Sequence, residues 1–328
     1  MILINFKYGQ GLGNQLCLLL TGLSLAIKNN KKLIIENYRF FLGKDFIKLK
    51  NIIIFEKSHN FKGLKYHEYF EPLFYDSELK THISLFDENL FKLNFNENIY
   101  LNGLFQSEKY IQVKKEYILH NHISILESSF KINEKTCVIN IRGGEYKRHQ
   151  NLILPLKYWK KAIEILKKKI PSLNFIIVTD DFNYSKKLFP NLTIIHQSIS
   201  DCFLVIRQAK YLILSNSSFP LIPIFFSEKN NKNIIAPYLW SRFDNKKKIW
   251  CSPTNYNQNW TWIDHNGRII NNSICINSIN YTNEYVSSNL KNSSVDYHST
   301  NFNTIEIIVL KIKRIIKKLL NNFLPNVF

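Results

Sequence analysis

CVINIRGGEY, residues 137–146, is the stretch from which the fold of this chain is read. Cys137–Ile141 is apolar except for Asn140, the pattern of a strand buried on both faces. Arg142 follows at once, and Gly143 and Gly144 allow the chain to turn sharply away. Downstream, Leu156–Lys169 carries an amphipathic helical period that begins after Pro155, and Phe175–Val178 reads as a strand. Ser200–Gln208 reads as a helix, Tyr211–Leu214 as a strand, Phe219–Phe226 as a helix start and Asn233–Ala236 as a last strand. Strands alternating with helices predict a parallel sheet, with ligands outside the carboxyl ends of its strands. Residues 134–265 are therefore expected to form a Rossmann-like domain.

Upstream, Met1–Phe6 alternates as a strand does, and Lys32–Glu36 is a second strand. Between them lie a glycine-rich turn and an apolar run, with Leu16, Leu19, Leu20, Leu23 and Ile27 at helical spacing. This β-loop-α-β opening predicts a second Rossmann-like domain over residues 1–133, although residues 37–130 show no clear period. Residues 266–303 are rich in Asn and Ser with little periodicity and read as a linker or a loose wrap. Residues 304–328 hold a basic amphipathic helix over Thr304–Leu324. Its apolar stripe includes Ile305, Ile308, Ile312, Ile315 and Leu319, while Lys311, Lys313, Arg314, Lys317 and Lys318 enrich the remainder. Such a helix can lie on anionic lipid or dock on its own protein, and the pattern favours neither.

Composition bounds the partners. The 328 residues suffice for two domains, and a net charge of +19 attracts anions. Abundant Lys, Asn and Ile also fit a genome biased toward A and T, so charge does not choose a partner. A nucleic-acid binder is disfavoured, because no basic helix carries base-reading side chains. Five scattered cysteines, with no C-x-x-C pair, argue against a disulfide framework and a thiolate zinc site, and point to a reducing cytoplasm. The run Leu16–Ile27 is too short to span a bilayer, which needs about 20 residues.

Four motifs carry chemistry. Gly9-x-Gly11-x-Gly13-Asn14-Gln15 stands between a strand and a helix, where glycines permit close approach of a ligand. It is neither a dinucleotide fingerprint nor a P-loop, and taken alone it is equally a tight turn. Arg142 stands at a strand's carboxyl end, where its planar fork suits a pyrophosphate or a surface carboxylate. Thr179-Asp180-Asp181 also follows a strand, and its acids suit a ribose contact or a helix N-cap. Asp201 precedes Asn216-Ser217-Ser218-Phe219-Pro220, in which Ser218 suits an N-cap and Pro220 a first helical turn.

Together these segments resemble glycosyltransferase family 11, the α-1,2-fucosyltransferases. Gly11-Leu12-Gly13-Asn14-Gln15-Leu16 matches the family's opening stretch, and Gly103-Leu104-Phe105-Gln106-Ser107-Glu108-Lys109-Tyr110 matches its second segment. Asn140–Tyr146, Leu154–Tyr158, Thr179–Asp181 and Asn216–Phe219 follow in the family's order, over roughly residues 3–243. The family histidine is Asn140 here, its second arginine is Gly143 and its aspartate is Glu145.

The resemblance implies an α/β fold of GT-B type, with two Rossmann-like domains facing a central cleft. It implies inverting, metal-independent transfer of L-fucose from GDP-fucose to a galactoside hydroxyl, with no cofactor. Arg142 is implied on the β-phosphate, with Gly11, Gly13 and Asn14 closing over the donor. Ser217, Ser218 and Phe219 are implied at the pyrophosphate, Asn140 and Asp180 at the donor, and Asp201 at the guanine edge. Glu145 and His149, just past Arg142, are candidate general bases. The implied partners are GDP-fucose and an oligosaccharide or lipid-linked glycan in the cytoplasm, with peripheral membrane contact through 304–324. The departures leave open another GDP-deoxysugar, another linkage, or a non-catalytic nucleotide- or glycan-binding relative.

Overall fold

The computed structural model describes residues 1–59, 66–93, 96–127, 130–148, 152–196, 198–229, 231–240, 245–251 and 255–292. In chain order the first strands are β1 (Ile2–Asn5), β2 (Leu33–Glu36), β3 (Ile47–Leu49), β4 (Ile53–Ile54), β5 (Tyr66–Phe70), β6 (Leu73–Asp76), β7 (Thr81–Ser84), β8 (Asn98–Asn102) and β9 (Ile123–Ile125). Helix α1 (Leu12–Lys28) joins β1 to β2, and α2 (Lys115–Asn121) precedes β9. The second group comprises β10 (Thr136–Ile141), α3 (Leu156–Lys169), β11 (Asn174–Thr179), α4 (Phe182–Leu188), β12 (Thr193–Ile195), α5 (Ile199–Gln208) and β13 (Tyr211–Ile213). It continues through α6 (Leu221–Phe225), β14 (Asn233–Pro237), β15 (Thr261–Ile263), β16 (Ile269–Ile270) and α7 (Asn272–Asn292).

Two parallel sheets result. The first has the order β4-β2-β1-β8-β5, parallel throughout, and the second the order β12-β11-β10-β13-β14-β15-β16, with only β16 antiparallel. Numbered within its own half, the second sheet runs 3-2-1-4-5-6-7, and its six parallel strands follow the order of a dinucleotide-binding Rossmann sheet. The order in which strands are added reverses between β10 and β13, and in the first sheet between β1 and β8. At such switch points the loops diverge and leave a crevice. The sheets form the two Rossmann-like units of the expected GT-B type.

The halves share apolar packing. Leu16, Leu19, Leu20 and Leu23 of α1 are buried with Ile2, Ile4 and Leu33 of the first sheet. Phe203 and Leu204 of α5, with Ile222 of α6 and Phe226, enter that same core from the second half. The other face of the second sheet packs under α3 through Tyr158, Trp159, Ala162 and Leu166. Compactness consequently runs unbroken over the described residues of Met1–Ser294.

Helix α3 has the bounds its periodicity predicts. The stretch read as a linker does not behave as one. Residues 272–292 form α7, which buries Cys275, Ser278, Thr282 and Val286 along one side. The thin apolar stripe among Asn and Ser hides this helix, and its buried polar groups find partners. Thr282 bonds the backbone of Trp250 and of Ser278, and Ser278 bonds the Tyr238 hydroxyl. The helix expected over 304–324 lies outside the described residues. No described helix is long and apolar enough to cross a membrane.

Candidate functional site

Each switch point presents two loops, and the loops of the two sheets meet. On the second sheet, Arg142 leaves β10 and its Nη1 lies 2.7 Å from Asp180 Oδ2, while Nη2 is 3.6 Å from Glu145 Oε1. Asp180 also accepts the Gly143 N–H at 2.9 Å, so one carboxylate fixes the arginine and the turn after it. The guanidinium stands 5.0 Å over the ring of Tyr146, and its Nε is buried with no hydrogen-bond partner. An arginine so held has its plane set while one buried donor stays unused, a state that favours an added oxygen acceptor.

Tyr146 carries the site from β10 to β13, because its hydroxyl donates to the Asn216 carbonyl at 3.2 Å. Burial raises that phenol above its ordinary range. Beneath it, the Ser215 hydroxyl donates to Asn140 Oδ1 at 2.7 Å in a fully buried pair. Asn140 thus ties two strands together under the site. Ser217 Oγ accepts the Phe219 N–H and shapes the turn before α6.

Ser218 does not cap α6, which begins at Leu221 with Pro220 at the N-cap. Its hydroxyl donates instead to Asn14 Oδ1 at 2.8 Å, across to the first sheet. A Cβ on Gly13 would stand 2.8 Å from the Phe219 nitrogen and 2.9 Å from Ser218 Oγ, so only glycine permits this approach. Gly9 makes the preceding turn at φ +82°, whereas a Cβ on Gly11 would meet open space. Asn14 Oδ1 accepts a second bond, 2.6 Å, from Gln106 Nε2 in the loop after β8. Asn255, from the segment between β14 and β15, donates to the Gln106 carbonyl at 2.9 Å and accepts the Glu108 N–H at 2.8 Å. Four segments distant in sequence are thereby joined by neutral amides and one hydroxyl.

Glu71 anchors this loop from below. It is 3% exposed, and its Oε2 accepts the N–H groups of Leu104 and Phe105 at 2.8 and 2.7 Å. Burial pushes its carboxyl up to about 7, against the pull of those N–H groups and of the Ser84 hydroxyl. Phe105 adopts φ +49°, a strained turn that the two bonds help hold.

The remaining acids have structural work. Asp181 is the N-cap of α4 through the Tyr184 N–H, and it pairs with Lys147 at 2.5 Å. Burial works to raise its carboxyl, but Lys147 and that N–H prevail and hold it below the ordinary range. Asp201 sits in the first turn of α5, bonded at 2.6 Å to the N-cap Ser198. Asp180 follows β11 and Asp201 follows β12, two paired parallel strands, so the two acids lie at the same end of the sheet. Among the described residues Asp201 bonds Ser198, and it is not joined to Arg142, Asn14 or Ser218.

The space beside Gly143 is closed, since a Cβ there would meet the Asp181 Cβ at 2.6 Å and the Tyr184 ring at 2.9 Å. A second arginine at this position would collide with α4 as it stands. The side chain of Glu145 is 73% exposed, and His149 lies outside the described residues. Of the other residues that build the junction, Gln106 belongs to a recognisable motif. Asn216 likewise stands in the Asn216–Phe219 segment, whereas Asn255 and Glu71 carry no sequence signal, being single polar residues whose partners are up to 149 positions away.

The chain is similar to known glycosyltransferases. The model of "Glycosyl transferase family 11" matches residues 23–264. The O-antigen biosynthesis glycosyltransferase WbnK of Escherichia coli is 24% identical over 144 residues, 40% of this chain and 47% of that protein. The chain thus spans about half the length of that relative. Among solved structures, the NodZ α-1,6-fucosyltransferase co-crystallised with GDP covers 69% of this chain and 92% of its own, with 13% identity and a TM-score of 0.39. The E. coli heptosyltransferase WaaC with ADP covers 89% and 98%, with 11% identity and a TM-score of 0.43. Both scores are low, and the fold stands on the sheet topology alone.

Proposed function

The chain belongs to glycosyl transferase family 11, and from that premise we propose that it transfers L-fucose from GDP-fucose to a galactoside hydroxyl of a surface glycan. In this reading the product linkage is α-1,2 and the anomeric carbon inverts. The acceptor oxygen attacks from the face opposite GDP while the sugar–phosphate bond breaks. The observation that carries the reading is Arg142, fixed by Asp180 at 2.7 Å and lying over Tyr146, whose hydroxyl donates to the Asn216 carbonyl in the loop after β13. Negative charge grows on the departing diphosphate. Arg142, with its unused Nε donor, would stabilise it in a preorganised site without a metal. Gly11, Gly13 and Asn14 would close the first sheet over the donor, and Asp201 would meet the guanine. Ser218 would exchange its bond to Asn14 for one to phosphate.

Transfer of another GDP-deoxysugar, or to another hydroxyl, is a second reading. It is favoured by the closed space at Gly143 and by Asn140, which is committed to Ser215. The basic segment 304–324 would hold the enzyme at the anionic inner face of the membrane, where lipid-linked acceptors are built. The test is incubation with a panel of GDP-sugars and galactoside acceptors, followed by product mass and linkage analysis. Fucosyl transfer to the galactose 2-hydroxyl is expected. Failure to bind GDP at millimolar concentration would overturn both readings, and transfer of a different sugar would select the second.

A further inference from the structure

Away from the cleft, the outer helices of the second sheet carry a charge for which the transfer reaction has no use. Helices α3 and α4 pack on one face of that sheet, through Tyr158, Ala162 and Leu166 of α3 and Tyr184 and Leu188 of α4. Together they hold eight lysines and a single acid, Glu164. Lys161 and Lys168 each bond Glu164 at 3.0 Å. The other six lysines are exposed and have no ion-pair partner among the described residues.

Between the two helices runs an apolar groove of about 240 Å³, lined by Ile163, Phe175, Leu188, Phe189 and Leu192. Lys167 also lines it, with its Nζ 5.6 Å over the Phe175 ring. The groove lies near the starts of β11 and β12, at the end of the sheet opposite Arg142. We propose that this face of α3 and α4 is a docking surface for an anionic membrane, with lipid phosphates on the lysines and part of a lipid tail in the groove.

Three observations choose this occupant. First, composition does not explain the lysines. Helix α7 also presents an exposed side, yet its 21 residues carry six Asn and only one Lys. A genome rich in A and T supplies either residue, so the concentration of Lys on α3 and α4 is particular to this face. Second, the helix dipole favours Lys167, Lys168 and Lys169 in the last turn of α3, but it disfavours Lys157 and Lys160 near the other end. Cations at both ends make one continuous positive face, complementary to a layer of anions. Third, the groove is smaller than the about 300–1,000 Å³ of a pocket that encloses a small ligand, so it suits partial insertion. Lysine stems cover apolar surface while their ammonium groups reach outward, the arrangement that suits a membrane interface. This surface belongs to the folded body and is separate in sequence from the basic segment 304–324. It is independent of which sugar is transferred.

The test uses the full chain with vesicles of phosphatidylcholine, alone or mixed with phosphatidylglycerol. All five native cysteines are buried, so Asn191→Cys beside the groove takes an environment-sensitive fluorophore selectively. Its emission should shift to the blue with the anionic vesicles and not with the neutral ones. The same label at Asn283→Cys, exposed on α7 and packed over the other face of the sheet, should not shift. Lys157→Gln, Lys160→Gln, Lys167→Gln and Lys186→Gln, combined in one chain, should weaken anionic-vesicle binding at least about tenfold. Transfer to a soluble acceptor should be unchanged by those four substitutions. Protein that sediments with anionic vesicles while the Asn191→Cys label keeps its aqueous emission would overturn the proposal, leaving segment 304–324 as the contact. No sedimentation at all, equal shifts at both labels, or a loss of affinity under about twofold in the combined variant would overturn it too. A shift produced by polyglutamate and not by vesicles would replace the membrane with an acidic protein partner.

Discussion

The two switch points are furnished with opposite chemistry. The one between β10 and β13 is charged, with Arg142 on Asp180 and Lys147 on Asp181. The one between β1 and β8 is built from neutral amides, Asn14 and Gln106, over a buried carboxyl, Glu71. Fixed charge is useful where charge develops during a reaction, and neutral bonds are useful where two surfaces must only hold register. The first kind is costly to desolvate and is held by partners within hydrogen-bond reach. The second joins groups far apart in sequence at small electrostatic cost. The contrast predicts that changes at the charged loops alter turnover, while changes at the amide loops alter stability and closure.

The sharpest challenge to that division is Arg142→Ala. It should slow transfer by about 10²–10³-fold, equivalent to roughly 2.7–4 kcal/mol of barrier, with the melting temperature nearly unchanged. Near-normal turnover in a steady-state assay would break the comparison.

Next comes the pH dependence set by Glu71. Its folded-state carboxyl is raised from 4.5 to about 7, so the folded protein binds more protons than the unfolded chain between those values. Stability therefore falls as pH rises through this window, by roughly 3 kcal/mol at most. Glu71→Gln should flatten that slope in denaturant titrations at pH 5 and pH 7.

Gly13→Ala should cost about 1–3 kcal/mol, because the backbone of Ser218 and Phe219 cannot yield as a flexible side chain would. Equilibrium unfolding would measure it, and a neutral result would show that the halves part easily at this point. The smallest effect belongs away from both switch points. The exposed Lys92–Glu88 pair should contribute no more than about 0.5 kcal/mol, and Lys92→Ala should leave both stability and turnover almost unchanged.

The charged switch point is the legible one. Its buried strand, its arginine and its turn glycines are neighbours in sequence, and Asp180 follows the next strand at a regular interval. At the amide switch point Asn14 and Gln106 stand in legible motifs, but the strands beside them are nearly silent, since β4, β5 and β8 are short and lie among mixed aromatic and polar residues. Tyr66–Phe70 alternates weakly and is half exposed, which leaves little period to detect. The helix at 272–292 is hidden for a related reason, because its buried side includes Ser278 and Thr282 beside apolar residues.

Local pattern by itself determined strands β10, β11, β13 and β14 of the second sheet, the helix α3, the place of Arg142 at a strand's carboxyl end and the family segments, while β12, β15 and β16 were too short to read. These features depend on residues within a few positions of one another, whose periodicity and chemistry can be read along the chain. Only the tertiary structure decided that Ser218 bonds Asn14 instead of capping a helix. It also decided that Glu71 lies under Phe105, and that Asn255 holds the loop of Glu108. Those pairings depend on how two sheets pack, and a neutral amide carries no sign of the partner that packing will bring to it.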